Sequence, residues 1–150
     1  MAERAGMTLE EYTIELLSQS LDPRDRAVEY IEVAQELLVE ARRELEEKDY
    51  RQAAGRLWGS AALAVEAYAL KREGRRLVSH RELWEYKEKL IEELGEWVYD
   101  AWIAAGSMHT CFYEGWCSTG DVEKALKRVE RFVESVRRVL EEPGYSSSGV

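Results

Sequence analysis

From residue 27 onward the apolar positions recur every three or four residues, not every two. Ala27, Ile31, Ala34, Leu38, Ala41 and Leu45 form one stripe, which is one face of a helix. Asp22 and Pro23 start it, a capping carboxylate followed by a proline whose missing N–H costs nothing in a first turn. The spacing predicts a helix to about Lys48, on the order of 37 Å long at 1.5 Å per residue. Asp49 is placed to cap a second helix carrying Ala54, Leu57, Trp58, Ala61, Ala62, Val65 and Tyr68 and ending before Gly74. Its small residues, Gly55, Gly59 and Ala62, admit close neighbours, which places it at the centre. Ser79-His80-Arg81-Glu82 is a capping box opening a helix with Leu83, Tyr86, Leu90 and Leu94 on one face and Gly95 at its end. Residues 96–113 are apolar on most sides and read as a buried helix, in which Gly106 marks a kink or a close contact. Asp121 is expected to cap a last helix with the stripe Val122, Leu126, Val129, Val133, Val136 and Leu140, ended by Pro143-Gly144.

Upstream, Thr8-Leu9-Glu10-Glu11 is another capping box, and Leu9, Tyr12, Leu16 and Leu17 follow at helical spacing. The organisation expected is therefore a helical extension over 1–21, one bundle over 22–142 and a flexible tail over 143–150. No strand alternation and no internal repeat interrupts this. The fold class predicted is all-α, an up-and-down bundle of five to six helices.

A chain of 150 residues buries roughly 70% of its unfolded surface and folds without a staple. Its 30 acidic and 21 basic side chains give a net charge of −9, which argues against a surface built mainly to hold nucleic acid, DNA above all, or anionic lipid. No apolar run approaches the roughly 20 residues of a membrane span. The first residues lack the apolar core of a signal peptide, so a cytoplasmic protein is expected. Asn is absent and Gln occurs only at 19, 35 and 52, the tendency of proteins from hot organisms. In such cytoplasm disulfides are common, which leaves Cys111 and Cys117 open to pairing or to life as buried thiols. Their spacing fits no zinc pattern, and His109 adds only a third ligand. Neither a metal nor a cofactor is expected.

Two stretches carry candidate chemistry. His109 and Tyr113 lie four apart on one helix face, with Glu114 beside them. The bland alternative is a satisfied histidine at the buried end of a bundle, with Phe112 and Trp116 as core. Residues 71–81 hold Lys71, Arg72, Arg75, Arg76 and Arg81 against one acid, Glu73. This reversal of sign precedes a helix N-terminus and suits phosphate or an acidic partner. Alternatively the cations complement the dipole of the preceding helix and the acidic stretch 29–49.

Asp49-Tyr50-Arg51-Gln52-Ala53-Ala54-Gly55-Arg56-Leu57-Trp58-Gly59-Ser60-Ala61-Ala62 resembles the central helix of HEPN proteins (higher eukaryotes and prokaryotes nucleotide-binding). With Val78-Ser79-His80-Arg81-Glu82-Leu83 and Met108-His109-Thr110-Cys111-Phe112-Tyr113-Glu114, the chain is more narrowly similar to the archaeal PaREP family, a HEPN branch, over roughly 22–140. The resemblance implies a helical bundle that is often dimeric. Its relatives include ribonuclease toxins and nucleotide-binding partners of nucleotidyltransferases. The ribonucleases carry an arginine four to six residues before a late-helix histidine. His109 stands at the histidine, but Ala104, Ile103 and Trp102 stand where the arginine belongs, and none can stabilise charge on a phosphate. Arg75 and His80 match that spacing literally, at the start of another helix; this reads as coincidence unless the fold brings His80 near His109.

The function expected is a HEPN-like binding or interaction module, for a nucleotide or other phosphorylated anion held by Arg75, Arg76, His80, His109, Tyr113 and Glu114, or for a protein partner of the nucleotidyltransferase type that the resemblance implies. The alternatives are a metal-independent ribonuclease with His80 and His109 as acid and base and Arg75 or Arg76 on the phosphate, and a purely structural dimer. A homodimer is expected in any case. Trp97, Val98, Tyr99, Trp102, Ile103, Met108, Phe112 and Trp116 point around the whole of one helix, more apolar surface than one bundle covers. The N-terminal helix is the rival cover.

Overall fold

The computed structural model describes residues 23–142, all of whose regular structure is helical. The helices are α1 (Pro23–Glu46), α2 (Tyr50–Glu73), α3 (His80–Leu94), α4 (Trp97–Glu114) and α5 (Thr119–Glu141). The expected helix over 8–20, the Asp22 cap and the tail from 143 lie outside the described residues. The five form the up-and-down bundle that the hydrophobic periodicity predicts.

α2 is the axis of the bundle and packs against each of the other four helices. Every residue from Leu57 to Leu70 except Glu66 is buried, which explains why its sequence has no polar face. Small side chains set the approach of α1, where the buried Ser60 hydroxyl donates to the Ala34 carbonyl at 2.7 Å. Gly55 does the same toward α4: a Cβ there would lie 2.6 Å from Cδ1 of Phe112. Gly106 is likewise a close contact, with Cζ2 of Trp84 3.0 Å from where its Cβ would sit.

The helix ends follow local chemistry, with two corrections. α1 stops at Glu46, short of Lys48, because Lys48 turns into the left-handed region at φ 66°. The Asp49 N–H then reaches back to the Glu44 carbonyl at 2.8 Å, closing the helix as a glycine usually does. At the last helix the cap is Ser118, not Asp121. The Ser118 hydroxyl accepts from the Asp121 N–H at 3.2 Å and the Asp121 carboxylate accepts from the Ser118 N–H at 2.9 Å. A hydroxyl with a carboxylate three residues on satisfies two orphan donors together, so the helix begins at Thr119. Asp49 caps α2 as expected, accepting from the Gln52 N–H at 3.3 Å.

α4 is buried on one side only. Val98, Trp102 and Met108 are inside, whereas Tyr99, Ile103 and Tyr113 are exposed, as is Trp116 in the loop that follows. The apolar positions around this helix thus exceed what the bundle covers, and Tyr99 and Ile103 remain on an open side. α3 is fastened to the end of α2 by paired side chains. Tyr68 donates to Glu93, Arg72 meets Glu93 at 3.0 Å, and Tyr86 donates to Glu73 at 2.8 Å. Burial raises the Glu93 carboxyl, but the Tyr68 hydroxyl and the Arg72 guanidinium outweigh it and hold the group below its ordinary range. No helix among the described residues is long and apolar enough to cross a membrane.

Candidate functional site

Ser79 fixes the start of α3, its hydroxyl accepting from the Glu82 N–H at 3.1 Å. The Glu82 carboxylate reaches past the cap to the Val78 N–H at 2.7 Å. That bond, with help from Arg75, holds the carboxyl below its ordinary range despite some desolvation. The cap puts His80 at the first helical position, facing the C-terminal half of α4. There His109 projects from the penultimate turn, and Trp58 rises from α2 between the two.

The three rings form a tight triangle. Trp58 lies 5.3 Å from His80 and 4.7 Å from His109, centroid to centroid, and the two imidazoles are 5.5 Å apart. Fold therefore joins two histidines that are 29 positions apart in sequence. The cluster continues on both sides. Trp84, one turn after His80, donates its indole N–H to Nε2 of His80 at 2.8 Å. Tyr113 stands edge-on to His109 at 5.2 Å. Beneath them Trp102 is fully buried, 5.1 Å from Trp58 and 5.5 Å from Trp84. His80 and Tyr113 are exposed, His109 and Trp84 half-buried. The result is an aromatic shelf with a solvent-facing edge and a dry base.

Its electrostatics favour a neutral ring at the centre. Burial, and then the positive charge that His80 can carry, push His109 below the usual histidine range. A half-buried neutral imidazole can stack, donate one hydrogen bond and accept another. At the end of α4, Arg51 of α2 donates from Nε to the Phe112 carbonyl at 2.6 Å and from Nη2 to the Tyr113 carbonyl at 2.7 Å. Cys111 and Cys117 are joined in a disulfide, Cα–Cα 5.7 Å, tying that same end to the loop before α5.

The sequence candidates thus divide. His80, His109 and Tyr113 come together. Glu114 is the exposed last residue of α4. Arg75 turns to Glu82, with Nη2 at 3.5 Å, and lies 5.8 Å over the Tyr86 ring. Arg76 is exposed in the linker between α2 and α3. Sequence reasoning missed Trp84, Trp102 and Arg51 as members of the site, and took Trp58 for core alone. One signal was available, since His80 and Trp84 are one helical turn apart. Among the described residues no group of three or more His, Cys, Asp or Glu side chains is placed to hold a metal ion.

No curated protein and no solved structure matches the chain. A family match covers residues 29–133, from the first turns of α1 into α5, and includes Trp58, His80, Trp84, Trp102, His109 and Tyr113. With most of its length so matched, the chain belongs to the archaeal PaREP1/PaREP8 family.

Proposed function

We propose that this protein is a helical module, of HEPN type, that binds a nucleotide or another phosphorylated anion on the His80–His109–Tyr113 shelf. The observation that carries the reading is the convergence of His80 and His109 on Trp58 from two different helices, with an exposed edge. Stacking of a base on such a platform is worth about 1–3 kcal/mol per base and tolerates any base. The phosphate falls to the Arg75–Arg76 linker. To meet it Arg75 gives up a partly exposed ion pair with Glu82, a kind worth about 0–1 kcal/mol, and its place over the Tyr86 ring.

Thermal shift with mononucleotides and short single-stranded RNA tests this. At about 100 times the dissociation constant a ligand adds about 2.7 kcal/mol of stability. The expected result is a saturable shift that His109→Ala and Arg76→Gln both weaken. A panel without any saturable shift at millimolar concentration overturns the proposal.

The nearness of the two imidazoles favours one second reading, a metal-independent ribonuclease with His80 and His109 as acid and base. Ala104 weighs against it, because no cation stands one turn before His109 to take the developing charge. The expected result is no cleavage of single-stranded RNA above background. Turnover that disappears in His109→Ala would establish the enzyme instead. A homodimer accompanies either reading, through Tyr99 and Ile103, which lie one turn apart on the open side of α4 at 46% and 37% exposure. Tyr99→Glu with Ile103→Glu splits it to about 17 kDa by light scattering, against the chain mass of 17.4 kDa; a wild-type mass already at that value refutes it.

A further inference from the structure

On the face of α4 opposite His109, a pocket of about 260 Å³ opens between α4 and the first turns of α5. Ala104, Ser107 and Met108 of α4 and Ala125 of α5 line it, and Met108 and Ala125 are almost fully buried, so an apolar floor lies beside the one hydroxyl of Ser107 in a pocket open to solvent. Trp116, half exposed, stands at its wall. Lys124 and Arg128, one turn apart on α5, bring two positive charges to it. Arg128 donates from Nη1 to the Lys124 carbonyl at 3.2 Å, which folds the guanidinium back along the helix. One carboxylate, Asp121, also lines the pocket, but it accepts from the Ser118 N–H. Two cations and one carboxylate leave one net positive charge, on a chain of −9.

We infer that this pocket binds a small planar monocarboxylate, a single aromatic or conjugated ring bearing one carboxyl group. At about 260 Å³, just under the roughly 300 Å³ at which sites for drug-sized ligands begin, the pocket has room for one ring. The apolar base and the Trp116 indole suit a flat hydrophobic body. A net charge of one matches a monoanion, and a guanidinium beside an ammonium suits the paired oxygens of a carboxylate. A phosphate dianion leaves one charge unmatched and offers nothing to the apolar base. Trp116 sits inside the short ring closed by Cys111 and Cys117, so the bridge fixes where the wall stands. The site shares α4 with the aromatic shelf but none of its side chains, so it stands or falls independently of nucleotide binding.

The test is a titration with benzoate, benzyl alcohol and inorganic phosphate, read at the Trp116 indole N–H by NMR and assigned with Trp116→Phe. Benzoate is expected to give a saturable shift with a dissociation constant roughly tenfold below that of benzyl alcohol, the value of one charge-assisted hydrogen bond. Phosphate is expected to give none. Lys124→Gln with Arg128→Gln, both at exposed positions, removes the advantage of benzoate while leaving the melting temperature in place. Ala104→Leu, which fills the pocket from α4, abolishes the shift with either aromatic. Equal response to benzoate and benzyl alcohol, no saturation by benzoate, saturation by phosphate, or an undiminished benzoate preference in the charge variant would each overturn the proposal.

Discussion

The indole N–H of Trp84 donates to Nε2 of His80 across one turn of α3 at 2.8 Å. A ring nitrogen that accepts carries no proton, so the neutral His80 is held as the Nδ1–H tautomer. Trp84 thereby decides which nitrogen of His80 is offered to the shelf as a donor. In Trp84→Phe this constraint is gone. The imidazole nitrogen shifts of His80, sharply those of one tautomer in the wild type, should move to values averaged over two. Unchanged shifts would mean that packing against Trp58, not the hydrogen bond, orients the ring. The cost in stability is expected to be about 1 kcal/mol, the typical net worth of such a bond.

Acid should weaken the fold through His109. Its folded pKa lies below the ordinary value of about 6.5, through burial first and the neighbouring His80 second. Between these two values the unfolded chain binds a proton that the folded chain refuses. Stability is therefore complete above about pH 6.5 and falls as the pH drops toward the lowered value. A melting curve taken from pH 7 to pH 5 should show this decline, and His109→Gln should flatten it. An identical slope in the variant would assign the decline to other groups.

Gly55 lets α2 and α4 approach closely. An added methyl meets the Phe112 ring at 2.6 Å, and overpacking of this kind costs about 1–3 kcal/mol. Alanine in a helix interior returns about 1 kcal/mol, so Gly55→Ala should lose up to about 2 kcal/mol. Adding Phe112→Leu should recover part of that loss if the clash is its cause. Denaturant titration of the single and double variants reads both numbers.

Lys48 holds a left-handed conformation, φ 66°, at the turn between α1 and α2. Such a conformation costs an ordinary side chain about 1–2 kcal/mol, part of which glycine forfeits again to the entropy of the unfolded chain. Lys48→Gly should therefore stabilise by about 0.5–1 kcal/mol. For a chain of this size that raises the melting temperature by about 2–4 °C for each kcal/mol. A lower melting temperature would show that the Lys48 side chain contributes more than its backbone costs.

Most of the fold was legible in the apolar periodicity, because α1, α3 and α5 each have a polar side that sharpens their stripe. α2 has none, and was recognised instead by small residues and by Asp49 and Gly74 at its ends. The last cap was misplaced because Ser118 and Asp121 are both good capping residues, and only the reciprocal pair of hydrogen bonds distinguishes the cap from its partner. The site was half legible. His80 and His109 stood out as the only histidines, but their contact depends on how α3 crosses α4, which no local pattern encodes. Trp58 and Trp102 were hidden for a simpler reason. A tryptophan under a site and a tryptophan in a core bury the same surface at the same helical spacing.

Arg51 bears on what can approach the shelf. The last carbonyls of a helix carry roughly half a negative charge between them and repel anions. At α4 this end lies directly beside His109 and Tyr113. With two of its N–H groups on the Phe112 and Tyr113 carbonyls, Arg51 covers those oxygens with a full positive charge. The two carbonyls that would otherwise set that negative charge at the edge of the shelf are thereby neutralised, while the Glu114 carboxylate remains in the last turn beside them.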